Sequence, residues 1–222
     1  LSRRRRLTQR PWRFCAAIVL LTYQSASHAD DSPKPPPISS ADWPSYNHDE
    51  RGWRFNSGEK ALSAKNAAKL EEKWRFPAKG SKDKIGAIHA TPSVVNGYVY
   101  FGTASLPRFY KLKPDGTIAW EYEPTGGSSS RKRREGGANQ IKVDRAILSS
   151  ALVTDTRVFF GDTAGVFYAL DRATGKDLWT VDTRAEGFPD HHAINTFMSS
   201  PILADGRVIV GGGGYEHPNP LD

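Results

Sequence analysis

The chain has 222 residues and a formal charge of +7, from 31 basic and 24 acidic side chains. That length allows one sizeable core or two small ones. Six of the basic residues (Arg3, Arg4, Arg5, Arg6, Arg10 and Arg13) lie in residues 1–29, which hold no acid; the remainder carries 25 basic residues against 24 acidic, so the charge excludes the basic surface of a nucleic-acid-binding protein.

Taken in chain order, residues 1–29 read as a secretory signal peptide. A basic stretch ends at Arg13, an apolar run follows from Phe14 to Tyr23, and small residues Ser25 to Ala29 suit cleavage after Ala29. The apolar run is shorter than the ~20 residues a helix needs to cross a bilayer. The expectation is a periplasmic or secreted protein with no membrane span in the mature chain; an uncleaved anchor is the alternative. Cys15, the single cysteine, falls in the segment to be removed, so the mature chain would have no disulfide and no thiolate metal site. Residues 30–41 form a Pro/Ser-rich linker, predicted to be extended with little to bury.

Residues 42–222 hold an internal repeat. One copy is TPSVVNGYVYFG (91–102), a second SALVTDTRVFFG (150–161) and a third SPILADGRVIVG (200–211). Each is a short apolar strand, a polar turn and a second β-branched or aromatic strand ending in glycine. Asn96-Gly97 and Asp205-Gly206 are strong hairpin signals, because these residue types tolerate the positive φ of a tight turn; Asp155-Thr156 holds the same place in the second copy. A further pair of strands follows, in YKLKPDGTIAW (110–120) and YALDRATGKDLW (168–179). From Gly102 to Trp120 and from Gly161 to Trp179 the separation is 18 positions in both cases. Four short strands per unit predict an all-β fold of four-stranded antiparallel propeller blades. About three blades are present where a closed propeller has about four to eight, so an incomplete propeller is expected. Residues 64–72 predict a short helical turn, and Trp74 to Phe76 the start of the first blade's pairing. A Gly/Ser-rich basic insertion at 126–140, around Arg131 to Arg134, reads as a solvated loop between blades, with polyanion binding as the alternative.

The second copy, ALDRATGKDLW (169–179), resembles the tryptophan-docking motif of the pyrroloquinoline quinone (PQQ) repeat family. In that family the Trp stacks on the next blade and joins neighbours; Trp74, Trp120 and Trp179 would do so here. The leading segment, Asp42 to Tyr46, Arg54 to Asn56, then Leu62, Asn66, Leu70 and Trp74, is similar to the start of mature quinoprotein alcohol dehydrogenases. The resemblance implies the N-terminal part of an exported PQQ-dependent alcohol dehydrogenase. Its partners would be the remaining blades, an alcohol substrate and an electron acceptor such as a cytochrome c. The alternative is a non-catalytic propeller scaffold that binds protein or polysaccharide in the periplasm.

The resemblance also implies site residues. In such dehydrogenases the cofactor lies on the propeller axis, calcium polarises its quinone, and an aspartate takes the substrate proton. The stretch Gly211 to Glu216 resembles the segment whose glycine backbone approaches the cofactor and whose glutamate binds calcium. This implies Gly213, Gly214 and Tyr215 for the cofactor and Glu216 for the metal; the other reading is a flexible strand end with a solvated acid. His89, three residues before Pro92, stands where the family has a cofactor-contacting glutamate, and either hydrogen-bonds the cofactor or serves the fold. Met198, three before Pro201, stands where the family often has a hydroxyl residue. The family's adjacent cysteines are absent, with Asp144-Arg145 near their place, and the catalytic aspartate belongs to a later blade, so no catalytic residue is assigned. Asp190, His191, His192, Glu216 and His217 are a further candidate metal cluster, although adjacent strand histidines point to opposite faces.

Overall fold

The computed structural model describes residues 17–21, 35–124, 145–183 and 196–213. Among these residues the regular structure is strand, apart from one 3-10 turn, Ala67–Lys69, inside the expected helical stretch. The strands are β1 (Ala17–Leu21), β2 (Ser93–Val95), β3 (Tyr98–Gly102), β4 (Phe109–Leu112), β5 (Ile118–Tyr122), β6 (Leu152–Val153), β7 (Arg157–Gly161), β8 (Val166–Asp171), β9 (Asp177–Asp182), β10 (Ile202–Ala204) and β11 (Arg207–Gly212).

They form three antiparallel sheets that match the three repeat copies. The first is β2-β3-β4-β5 and the second β6-β7-β8-β9, each in chain order; the third holds β10 and β11. The turn chemistry behaves as its residues dictate. Asn96 and Gly97 have φ of 49° and 75°, and Asp205 and Gly206 have 48° and 70°. These are the paired positive values of a tight two-residue hairpin. Asp155-Thr156 stays at negative φ, which suits a β-branched residue. Instead Thr154 closes that turn, its Oγ1 accepting from the Arg157 N–H at 3.1 Å.

Both faces of the second blade are buried, and strand alternation decides which residue meets which neighbour. Val158, Phe160, Val166, Tyr168 and Leu170 pack toward the first blade, joining Val95, Tyr100 and Phe109. Phe159, Phe167 and Ala169 pack the other way, against Phe197, Val208 and Val210 of the third. Phe109 and Phe160 stack across the first interface with ring centroids 4.3 Å apart.

Two expectations about the leading residues change. Residues 74–76 form no strand; Trp74 instead lies across the turn of the first blade, its Nε1 donating to the Pro114 carbonyl at 3.0 Å. Residues 35–41 are tied down rather than merely extended. The Pro36 carbonyl accepts from Arg172 at 3.0 Å, the Pro37 carbonyl accepts from Asn96 at 3.1 Å, and the Ile38 N–H donates to Asp155 at 2.9 Å. The chain then runs along the free edge of β2. Trp43 exchanges backbone hydrogen bonds of 2.6 and 2.8 Å with Val94, and the Pro44 carbonyl accepts from Val153 at 2.8 Å.

β1 comes from the apolar run of the expected signal. It lies antiparallel on the outer edge of β11, from Ala17 opposite Gly212 to Leu21 opposite Val208. A two-stranded sheet with an open edge accepts such a segment readily, since each added strand satisfies unpaired backbone groups. No helix among the described residues is long and apolar enough to cross a membrane.

Candidate functional site

The inner strand of each blade (β2, β6 and β10) is preceded by a short irregular segment. These three segments meet at one end of the array and, with residues 45–52, enclose a cavity of about 500 Å³. His89, Leu148 and Met198 all line it. They are the same repeat position, three residues before Pro92, Ala151 and Pro201. So are Thr91, Ser150 and Ser200, one residue before those positions, which also line it. The repeat therefore delivers matching residues to one place, as blades arranged about an axis must.

The fourth wall is the loop that leaves the β2 edge at Trp43. Tyr46, Asn47, Asp49 and Glu50 face the cavity from it. Arg54 holds this loop: its Nη2 donates to the Tyr46 hydroxyl and its Nε to Asn47 Oδ1, both at 2.8 Å. The guanidinium also sits 5.0 Å from the centre of the Tyr46 ring. The wall carries two carboxylates, Asp49 and Glu50, and the imidazole of His89; among the described lining residues there is no Lys or Arg.

The site residues expected from sequence are partly brought together. His89 is on the cavity wall and exposed. Gly213 is not on that wall; its N–H donates to the Thr196 carbonyl at 3.1 Å, and a side-chain carbon there would meet nothing nearer than Thr196 Cγ2 at 3.9 Å. Gly214, Tyr215 and Glu216 lie outside the described residues, as do Asp190, His191, His192, His217 and the basic insertion at 126–140. Among the described residues no group of three or more His, Cys, Asp or Glu side chains is placed to hold a metal ion. The residues that the motif reading passed over are Leu148, Ser150 and the 45–52 loop. Leu148 and Ser150 carry a signal, their alignment with His89 and Thr91 in the repeat. The loop carries none, because backbone bonds at Trp43 and Pro44, which no sequence pattern marks, bring it there.

Two polar clusters away from the cavity serve the blades. Asp162 is buried, and burial pushes its carboxyl above the usual range despite the N–H groups of Ala164 and Val166 and the Tyr168 hydroxyl that donate to it. Lys111 is buried beside Tyr98, its ammonium 4.4 Å from that ring, and donates to the Arg172 carbonyl at 2.9 Å. Burial, and then the Arg172 charge, push its pKa down to about 8.

Comparison with known proteins places this architecture. The family model of the glucose/ethanol/alcohol dehydrogenase β-propeller domain matches residues 43–219, and the chain belongs to this PQQ propeller family. Quinohemoprotein alcohol dehydrogenase ADH-IIG of Pseudomonas putida is 32% identical over 158 residues, covering 71% of this chain and 20% of that protein. The dehydrogenase subunit of the quinone alcohol dehydrogenase of Gluconobacter oxydans (strain 621H) is 28% identical, covering 79% of this chain and 22% of its own length. The chain thus spans about a fifth of these relatives. The solved structure of Pseudomonas putida ADHIIG superposes with a TM-score of 0.59 at 29% identity, covering 79% of this chain and 23% of that one. The described blades form an all-β, antiparallel array that does not close into a propeller.

Proposed function

We propose that the chain is the N-terminal part of an exported, PQQ-dependent alcohol dehydrogenase, and that its cavity is one wall of the cofactor site. The observation that carries this reading is the convergence of His89, Leu148 and Met198, with Thr91, Ser150 and Ser200, at one end of the inner strands. A planar quinone bearing carboxylates needs hydrogen-bond donors around its rim. The wall offers the His89 imidazole and the Ser150 hydroxyl, and a cavity of about 500 Å³ is within the range of ligand pockets. His89 and Ser150 are the groups that would hold it, whereas the carboxylates of Asp49 and Glu50 oppose an anionic ligand unless a cation lies between them. Gly213, Gly214 and Tyr215 are proposed to approach it from the strand end, with Glu216 as a calcium ligand. When bound, the quinone would accept the hydride of an alcohol and calcium would act as its Lewis acid. Asp49 and Glu50 add oxygen donors of the kind a hard cation takes.

Export through residues 1–29 to the periplasm belongs to the same proposal, as does electron transfer to a cytochrome c. A relative from Thauera butanivorans is named 1-butanol dehydrogenase (cytochrome c). His89 and Met198, which depart from the family at those positions, favour the second reading, a propeller scaffold without cofactor. The test is to add PQQ and Ca²⁺ to a protein carrying this chain with the blades that complete it. Tight binding with alcohol-dependent dye reduction supports the enzyme. Absence of binding leaves the scaffold.

A further inference from the structure

We propose that the outer edge of β11 is a strand-acceptor site, and that residues 17–21 occupy it as a removable surrogate for the third strand of a blade. In the first two blades that edge is covered by the next strand in the chain, β4 on β3 and β8 on β7. In the third blade the counterpart of β3 and β7 is β11, and the strand on its edge is β1, from the opposite end of the chain.

The register of β1 is that of a blade strand. Gly102 stands opposite Phe109, Gly161 opposite Phe167 and Gly211 opposite Ile18. Three residues back along the same strands, Val99 stands opposite Leu112, Val158 opposite Leu170 and Val208 opposite Leu21. In all three sheets, then, a glycine faces a bulky apolar residue and a valine faces a leucine, at one spacing and in the same antiparallel sense. The two pairs between them differ from blade to blade. A slip of one residue would break both matches and send every β1 residue to the other face of the sheet. The first two blades bury what they receive at the leucine position, Leu112 and Leu170 being 1% and 0% exposed.

The acceptor strand is held in place by its other contacts. Val208 and Val210 are buried against Phe159 and Phe167 of the second blade, and β10 pairs along the opposite edge. A fixed strand with one open row of N–H and C=O groups is what strand addition uses, the main chain giving affinity and alternate side chains selectivity. The site therefore takes an extended apolar segment with a bulky residue opposite Gly211 and leucine opposite Val208. β4 and β8 pair on both sides, with β5 and β9 as their second neighbours, whereas among the described residues β1 has β11 as its one sheet neighbour. A single ladder holds it. While residues 1–29 are attached the edge is closed to other chains; their removal, which comes from the export reading above, opens it. Cofactor binding plays no part in this site.

The experiment uses the 222-residue chain and a variant carrying Val19→Pro and Leu20→Pro. Successive strand N–H groups point to opposite edges, so one of the two is lost from the β11 ladder. Amide hydrogen exchange is read separately in the three sheets. The β11 amides turned away from β10 are expected to exchange about tenfold faster in the variant, while β3 and β7 keep their protection. A synthetic peptide of residues 17–21 between added lysines is expected to restore slow exchange to the variant, and the same peptide with Ile18→Gly and Leu21→Gly is not. Unchanged β11 exchange in the variant overturns the proposal, because β1 then does not hold that edge. Faster exchange in all three sheets also overturns it, because β1 then supports the whole fold and is not removable. Restoration by neither peptide, or by both alike, overturns the acceptor site as described. Whether PQQ binds the chain moves none of these readouts.

Discussion

Three tryptophans occupy the same repeat position; among the described residues Trp74 and Trp120 dock on a following glycine turn and Trp179 does not, so their truncation must cost different amounts. Trp74 covers Gly116, where a side-chain carbon would lie 2.7 Å from the indole, and Trp120 covers Gly175, with the same contact at 2.6 Å. Both glycines have positive φ, 83° and 73°, so the turn presents bare backbone to the ring. Each indole also donates to a carbonyl of that turn, Trp120 to Arg172 at 3.2 Å. Trp179 packs on Phe159 and Phe167, at 5.9 and 6.2 Å between centroids, but among the described residues no glycine turn covers it and no acceptor meets its Nε1. Trp120→Ala is expected to cost about 3 kcal/mol for a half-buried ring and about 1 kcal/mol for the hydrogen bond. Trp179→Ala should cost about 2 kcal/mol, because among the described residues the ring has neither a covering turn nor a hydrogen bond to lose. At roughly 2–4 °C per kcal/mol for a chain of this size, the two variants should differ by about 4–8 °C in thermal midpoint. Circular dichroism melts of both variants check this. Equal shifts would refute the idea that docking on the following turn, rather than packing within the blade, stabilises these rings. In a protein whose third blade also has its outer two strands and their turn in place, the two variants should converge.

Other perturbations follow from the same contacts. Gly175→Ala should destabilise by several kcal/mol, since it meets both positive φ and the Trp120 ring, whereas Gly206→Ala should cost only about 1 kcal/mol, having φ of 70° but nothing within 4 Å; urea midpoints separate them. Lys111 has a folded pKa of about 8, below its unfolded value of about 10.4. The unfolded chain therefore binds more protons between those values, and this group's contribution to stability rises as pH increases from about 8. Urea midpoints at pH 7.5 to 9.5 should show that rise in the wild type and lose it in Lys111→Met. Arg172 is 1% exposed and donates to Tyr100, Asn96, Pro36, Thr154 and Asp155. Arg172→Met should cost about 3 kcal/mol, because several acceptors lose a charged donor at once. NMR titration of the Lys111 ammonium should also move upward in that variant, since the Arg172 charge is one cause of its depression.

What could be read from sequence was whatever repeats. The blades announce themselves through two strands, a turn and a glycine, then two more strands and a tryptophan 18 positions on, and the structure places each copy in its own sheet. A turn such as Asp155-Thr156 was legible in place but not in mechanism, since Thr154 closes it with a side chain rather than by positive φ. The segments that lack a repeat were the ones whose contacts the sequence did not show. Residues 35–41 look like a tether because nothing local shows that Arg172, far along the chain, donates to Pro36. The 45–52 loop looks like surface because nothing local shows the backbone bonds of Trp43 with Val94 and of Pro44 with Val153 that turn it toward the inner strands.

The site combines both kinds of residue. His89 could be singled out by its offset from Pro92, and the repeat then supplies Leu148 and Met198 without further assumption. Asp49 and Glu50 could not be singled out, because a loop carboxylate in sequence is normally a solvated one. This division has a physical origin. A propeller builds its axial end by repetition, so symmetry-related residues meet there wherever the blades pack. The group that breaks the symmetry arrives by a single non-repeating crossing, and no periodicity marks it. The irregular loop against the repeated wall is therefore where this chain's selectivity should be sought, by exchanging Asp49 and Glu50 for Asn and Gln and measuring whether PQQ alone then binds more tightly. Neutral side chains would remove the repulsion between that loop and an anionic ligand, so weaker binding of PQQ in that variant without added cation would refute the idea that the loop opposes it.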